Sequence, residues 1–430
     1  MKKAAITASL LLVCNIAFAD EALERIQELQ EELDALKDQV EEAAAAEEDP
    51  EGRRTAAAQD PYLIPYGQAW NPKEGRTSVG GYGEINYNNY KDDSRPDEFD
   101  VQRVILFLGH RFSPRTRLYS EIEFEHGITK GGDSSSGEVA MEQAYIEQML
   151  RDTGGLNLRA GLQLLPIGFI NEFHEPPVFY GVERNEVETR IIPSTWREIG
   201  FALQGWLPKG FEYNTGLTTT PDASLFKDAS SGFKDMRTKG NRVVANEFGY
   251  YAALRYRGVL GLTLGGSVWT GNTAQNGQGK GTNAAALAGA DANLTIWDLH
   301  ARWAVRGWDF RALYTQGGFT DTVAINNAAG LPLGSNKAAP EEMFGWYLEG
   351  AYRFKLKGDM VAAPFVRYEE YNTQQKVAAG YTSDPLNDEQ VTTAGLNFYV
   401  HPQVVFKVDV QDYKTDNKKD RWNVGIGWMF

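Results

Sequence analysis

Apolar and polar residues alternate with a period of two through most of this chain, most clearly at its end. Trp422, Val424, Ile426, Trp428 and Phe430 interleave with Arg421, Asn423, Gly425, Gly427 and Met429. Successive side chains of a strand point to opposite faces, so this spacing makes one apolar face and one polar or small face. Val404, Phe406, Val408 and Val410 likewise oppose Lys407, Asp409 and Gln411. Leu156, Leu158, Ala160, Leu162 and Leu164 oppose Asn157, Arg159 and Gln163 in the same way. From residue 77 onward the pattern predicts sixteen strands, the first eight near 78–90, 99–112, 115–127, 138–150, 156–164, 196–207, 210–220 and 245–257. The other eight lie near 259–270, 291–306, 308–319, 341–354, 358–371, 389–400, 403–413 and 420–430.

The connections sort by parity. Short ones such as Ser113–Thr116, Pro208–Gly210, Arg257–Gly258, Arg306–Gly307 and His401–Gln403 alternate with long ones. The long ones lie near 91–98, 128–137, 165–195, 221–244, 271–290, 320–340, 372–388 and 414–419. An even strand number, short turns at one end and long loops at the other mark a transmembrane β-barrel. The expected fold is all-β transmembrane: a sixteen-stranded antiparallel outer-membrane barrel over 77–430, behind an N-terminal helical segment. About sixteen strands enclose an aqueous channel rather than a packed interior.

Composition adds the N-terminal modules. The charged fraction of 23% resembles that of a water-soluble protein, but strands that face lipid at every second residue escape hydropathy. Lys2 and Lys3, the apolar stretch Ala4–Ile16 and the small pattern Ala17-Phe18-Ala19 predict a signal peptide over 1–19. Cys14, the one cysteine, lies inside it, so the mature chain is expected to hold no disulfide. The net charge of −15 is concentrated early, with six Lys/Arg against fifteen Asp/Glu in residues 1–60. Ala22, Ile26, Leu29, Leu33, Leu36, Val40 and Ala43 fall on a heptad seam, which predicts a short periplasmic coiled coil over 20–45. A linker over 46–76 carries Pro50, Pro61, Pro65 and Pro72. The barrel is placed in a Gram-negative outer membrane, in contact with its lipid.

The connection 165–195 carries Ile167, Phe169, Ile170, Phe173, Val178, Phe179, Ile191 and Ile192, poor residues for a solvated loop. A long loop with its own apolar anchors is expected to fold back against an inner wall. The run Gly161-Leu-Gln-Leu-Leu-Pro166-Ile-Gly168, the pair Glu183-Arg184, and Arg197-Glu-Ile-Gly200 resemble the phosphate-selective porin O/P family. That resemblance implies a trimeric sixteen-stranded channel with an infolded third loop. The stretch differs from the family in its acidity. Glu172, Glu175, Glu183, Glu186, Glu188 and Glu198 outnumber Arg184, Arg190, Arg197 and His174, so phosphate selectivity is not expected to carry over.

The candidate constriction residues are Glu172, His174, Glu175, Glu183, Arg184, Glu186, Arg190 and Arg197. Arg103, Arg159, Arg255, Arg302, Arg311, Arg353 and Arg367 stand at lumen parity as a candidate basic wall. Two outcomes are open for them: a field across the pore, or ion pairs that hold the loop to the wall. Trp422, Val424, Ile426, Trp428 and Phe430 form a candidate signal for the barrel-assembly machinery. The five histidines have no metal-ligand spacing, and Glu172-Phe-His174-Glu175, which could bind a metal, reads more simply as a solvated polar stretch. No nucleophile elbow and no basic stripe for nucleic acid occur, and no metal or cofactor is expected. The function expected is passive diffusion of small hydrophilic solutes through a homotrimeric porin. The alternatives are an anion-selective channel, an anchor working through its coiled coil, and an enzyme at the barrel rim, for which no clustered nucleophile and base is found.

Overall fold

A computed structural model describes residues 73–92, 94–127, 137–151 and 155–430. The signal peptide expected over 1–19, the coiled coil expected over 20–45 and nearly all of the linker expected over 46–76 lie outside the described residues. The first eight strands are β1 (Thr77–Tyr90), β2 (Glu98–Arg111), β3 (Thr116–Glu125), β4 (Val139–Met149), β5 (Asn157–Leu164), β6 (Arg197–Leu207), β7 (Phe211–Thr218) and β8 (Gly249–Tyr256). The rest are β9 (Leu262–Asn272), β10 (Asn293–Val305), β11 (Trp308–Phe319), β12 (Pro340–Tyr352), β13 (Phe354–Lys355), β14 (Val361–Val377), β15 (Asp388–His401), β16 (Val404–Tyr413) and β17 (Arg421–Met429). The two-residue β13 continues the course of β12 beyond Arg353 and pairs with the same neighbour, β14. The sheet therefore has sixteen staves, each antiparallel to the next.

It closes on itself. Met429 stands opposite Tyr82 and Arg421 opposite Tyr90. The last residue completes the seam, because Phe430 N donates to Gly81 O (2.8 Å) and Gly81 N donates to Phe430 O (3.0 Å). No helix among the described residues is long and apolar enough to cross a membrane. The strands carry the apolar surface instead. Trp422, Val424 and Phe430 are exposed outside while Asn423, Gly425 and Gly427 are buried inside, and Phe406, Val408 and Val410 repeat the arrangement on β16. With lipid on one side and polar groups on the other, a closed barrel satisfies every backbone pair without an edge.

The structure differs from the sequence reading in three places. β14 runs to Val377 rather than to about 371, so its following loop shrinks to ten residues, 378–387. Leu162 and Leu164, at lipid parity, are buried, and Leu162 lies under the chain around Gly240. The interior is also fuller than an open aqueous channel. Trp196, Ala223, Phe226, Phe233, Met236, Leu287, Ile325 and Met343 belong to one apolar cluster that joins the long connections to the wall. Loops beyond 165–195 thus help fill the long-loop end of the barrel. Their own apolar residues are the reason.

Candidate functional site: the segment between β5 and β6

The segment that leaves β5 is clasped at its neck. Asn171 Nδ2 donates to Leu165 O (2.7 Å) and to Trp196 O (3.0 Å), and its Oδ1 accepts from Trp196 N (2.7 Å). One side chain therefore joins both ends of the connection. Gly168 makes the first bend at φ +69°, and a Cβ there would stand 2.4 Å from Glu188 Oε1. That oxygen is occupied: it accepts from Phe169 N (2.6 Å) and Ile170 N (2.8 Å). Glu188 Oε2 accepts from Asn185 Nδ2 (3.0 Å) and from the hydroxyl of Tyr347 on β12 (2.9 Å). Burial raises the Glu188 carboxyl above its ordinary range, and these donors work against the rise.

The middle of the segment has almost no regular structure, so its peptide groups need partners elsewhere. The wall supplies them residue by residue. The carbonyls of Pro177, Val178, Phe179, Tyr180 and Gly181 accept, in turn, from Tyr399 Oη (3.1 Å), Arg311 Nη2 (2.9 Å), Asn397 Nδ2 (3.1 Å), Arg367 Nη1 (3.1 Å) and Lys407 Nζ (2.7 Å). Gly181 N donates to Asn397 Oδ1 (3.2 Å) and Val182 N to Asp409 Oδ2 (2.6 Å). Five successive carbonyls are thus held by β11, β14, β15 and β16. The apolar anchors Ile167, Ile170, Val178, Phe179, Ile191 and Ile192 are all buried.

Most of the lumen arginines are brought together with carboxylates rather than left as an open basic row. Arg302 grips Asp309 with Nε (2.8 Å) and Nη2 (3.1 Å), and Arg311 reaches Asp309 (3.3 Å) and Glu349 (3.6 Å). Arg367 bridges Glu369 (2.8 Å) and Glu349 (3.1 Å), and Arg103 bridges Glu84 (2.8 Å) and Glu123 (3.2 Å). Arg159 lies 3.6 Å from Glu147 and 4.3 Å from the Tyr145 ring centroid. Arg353, at the β12–β13 junction near the short-turn end, stacks over the Tyr399 ring at 4.5 Å. These pairs lie within the wall itself; the arginines reach the loop through Arg255 on Glu172 and through the carbonyls held by Arg311 and Arg367.

The loop charges divide by partner. Glu172 pairs with Arg255, and Glu183 accepts from Asn88 Nδ2 (3.1 Å). Glu186 binds Arg190 Nε (2.7 Å) and accepts from Tyr413 Oη (2.8 Å). Burial opposes ionisation of Glu186, but Arg190 and Arg421 outweigh it and hold its pKa down at about 2. Arg184 donates to His174 O and to Ser194 Oγ, both at 3.3 Å. Arg197 opens β6 rather than lying in the loop, and its Nη1 reaches Glu142 Oε1 at 3.3 Å. His174 Nε2 stands 3.5 Å from Glu142 Oε2 and 3.7 Å from Glu121 Oε1. Burial alone would lower the His174 pKa, yet the two carboxylates more than compensate and raise it to about 9. Glu172, Glu183 and Arg190 keep partial exposure, whereas His174, Glu175, Arg184 and Glu186 are buried.

Sequence reasoning missed Asn171, Tyr347, Asn397, Lys407 and Asp409 as holders of the segment, and Glu121 and Glu142 as partners of His174. Lumen parity was the available signal for the strand residues. Which loop atom each one reaches depends on closure of the barrel.

No known protein-family model matches the chain. An uncharacterized protein of Aquifex aeolicus (strain VF5) is 31% identical over 369 residues, covering 82% of this chain and 80% of that protein. Among solved structures, OmpF of Salmonella typhi in complex with daunomycin aligns over 83% of this chain and 98% of its own, at 11% identity and TM-score 0.55. A loop L8 deletion mutant of OmpT, an outer membrane protein of Vibrio cholerae, covers 83% of this chain and all of its own at 9% identity and TM-score 0.51. The in-vitro folded trimer form of OmpT covers the same shares at 9% identity and TM-score 0.50. Identities this low show a shared fold. The chain is thus an outer-membrane type of sixteen-stave barrel, and it belongs to the same family as the Aquifex aeolicus protein.

Proposed function

We propose that the protein is an outer-membrane porin that passes small hydrophilic solutes or ions by diffusion, with residues 165–195 as the narrow zone. One observation carries this reading: a closed sixteen-stave barrel, apolar outside and charged inside, holds a long connection against its inner wall. An apolar outer face suits lipid, and the dense charge inside suits water and ions. The partly exposed Glu172, Glu183 and Arg190 mark the water path along the segment. Because most lumen charges are paired, the expected channel is narrow and weakly cation-preferring or near neutral, unlike the phosphate-selective family that the motifs resemble. The trimer form of Vibrio cholerae OmpT supports a homotrimer for this chain as well. Residues 1–19 act as the signal peptide, 20–45 as a periplasmic coiled coil, and the outward row ending in Phe430 as the assembly signal.

Planar-bilayer recording tests the proposal. Stepwise conductance in symmetric salt is expected, and in a salt gradient the joint change of Glu172, Glu175, Glu183 and Glu186 to Gln shifts the zero-current potential toward anions. A purified, folded barrel that gives no steps would overturn the channel reading. It would favour a second one, a closed barrel serving as an envelope anchor, which the deep burial of Glu121, Glu188, Arg367 and Glu369 supports.

A further inference from the structure

We propose that Glu121, Glu142 and His174 form a binding site for a zinc-class divalent cation that ties the infolded segment to β3 and β4. The site depends on an irregularity in the sheet. Across β3 and β4, Glu121 stands opposite Gln143 and Ile122 opposite Met141, which leaves Glu142 as the extra residue of a bulge. Bulges re-aim side chains. Here Glu142 and its neighbour Gln143 are both buried, at 0% and 1% exposure, although strict alternation would send one of them out. The bulge thus sets a second carboxylate beside Glu121 and beneath His174.

The hydrogen bonding separates inner atoms from outer ones. Glu121 Oε2 accepts from Gln143 Nε2 (2.8 Å), and Glu142 Oε1 accepts from Arg197 Nη1 (3.3 Å). His174 Nδ1 meets the Asn171 carbonyl at 3.1 Å. A carbonyl can only accept, so Nδ1 carries a hydrogen, and Nε2 is the ring atom left to face the two carboxylates and, once deprotonated, to offer its lone pair to a cation. The three facing atoms, Glu121 Oε1, Glu142 Oε2 and His174 Nε2, are buried and make no hydrogen bond. All three ligand atoms lie within 4.8 Å of one another. Metal-bound histidines and carboxylates are oriented in this way, through the atom that does not touch the metal.

The two separations from His174 fit a tetrahedral ion. Ligand bonds of about 2.0–2.2 Å place neighbouring ligand atoms about 3.4 Å apart, with nitrogen and carboxylate oxygen both accepted by zinc. The separations of 3.5 and 3.7 Å from Nε2 are close to that edge and too long for good hydrogen bonds. Calcium fits poorly, because it takes about six to eight oxygen ligands. Two carboxylates and a neutral imidazole balance a divalent charge. Tyr82 packs edge-on against His174, with ring centroids 5.8 Å apart, and its buried hydroxyl also makes no hydrogen bond. The sequence hid the site because Glu121 and Glu142 come from the wall and only His174 comes from the loop.

Cobalt(II) is the probe. The full chain, stripped with chelator and refolded in detergent with cobalt so that the buried site is accessible, should take up one equivalent per chain. The intense visible absorption of tetrahedral cobalt should appear with it. His174→Ala and Glu142→Gln should lose that band, while the exposed-site control His126→Ala should keep it. Gln143→Leu should weaken binding by about 10–100-fold, the usual effect of removing an orienting partner. Zinc should also raise the unfolding temperature of the wild type but not of His174→Ala. Absence of cobalt uptake, or a band that survives His174→Ala, would overturn the proposal in favour of a protonated His174 between two carboxylates. If those variants do not fold, X-ray absorption of the zinc-loaded wild type decides: one imidazole nitrogen supports the site, and two or more refute it.

Discussion

Several charged side chains inside this barrel, among them Arg255, Arg311, Arg367, Lys407 and Asp409, hold the segment 165–195 in place through definite partners. Arg367 illustrates the economy: it joins Glu349 to Glu369 and donates to Tyr180 O. Buried pairs of this kind add little net stability compared with apolar residues of equal volume, but removing one member strands the others. Arg367→Ala should therefore destabilise the barrel by about 3–5 kcal/mol, read as a lower urea midpoint for loss of the folded band. A midpoint within error of wild type would mean that water already reaches Glu349 and Glu369. Glu186 gives a pH-dependent counterpart. Its folded pKa is depressed to about 2 against an ordinary 4.5, so its contribution is complete above that ordinary value and disappears as pH falls through 2. Acidification from pH 4.5 to 2 should lower the wild-type unfolding temperature more than that of Glu186→Gln. Equal slopes would remove Glu186 from the account.

At the scale of elements, the terminal strand and the infolded segment show how differently two parts of one chain are specified. The β17 row Trp422, Val424, Ile426, Trp428 and Phe430 needs only period two to find its face, and closure through Gly81 and Phe430 then follows from backbone geometry. Replacing Phe430 with Asp should cut the amount of folded barrel in the membrane while leaving the single-channel conductance of the remainder unchanged. Normal membrane levels would contradict its role as an assembly signal. The segment between β5 and β6 was legible as a loop that turns inward, because eight apolar residues do not suit open solvent. Its attachment was not. The ladder of donors onto the carbonyls of 177–181 comes from four strands lying more than 100 residues further along the chain. The β3–β4 bulge was hidden for a related reason: a one-residue register shift leaves the local pattern almost unchanged while re-aiming Glu142.

For the whole molecule, the apolar outer wall makes association in the membrane the natural extension of the fold. Chemical cross-linking of the detergent-purified protein should trap trimers, and removing residues 20–45 should weaken them only modestly. The coiled coil proposed for 20–45 would have only about three heptads, which would contribute little beside barrel walls packed together. Exclusively monomeric species would refute the trimer. The amino-acid sequence by itself determined the stave number, the parity of turns and loops, the face of most strands and the presence of an inward-turning loop. Each of these follows from a local period or a local length. The tertiary structure alone decided that most lumen arginines pair with carboxylates, that several long loops join one apolar cluster, and that His174 meets Glu121 and Glu142. Those outcomes depend on the register of closure and on distance across the barrel, because partners there are chosen by proximity in space and charge balance in a low-dielectric interior.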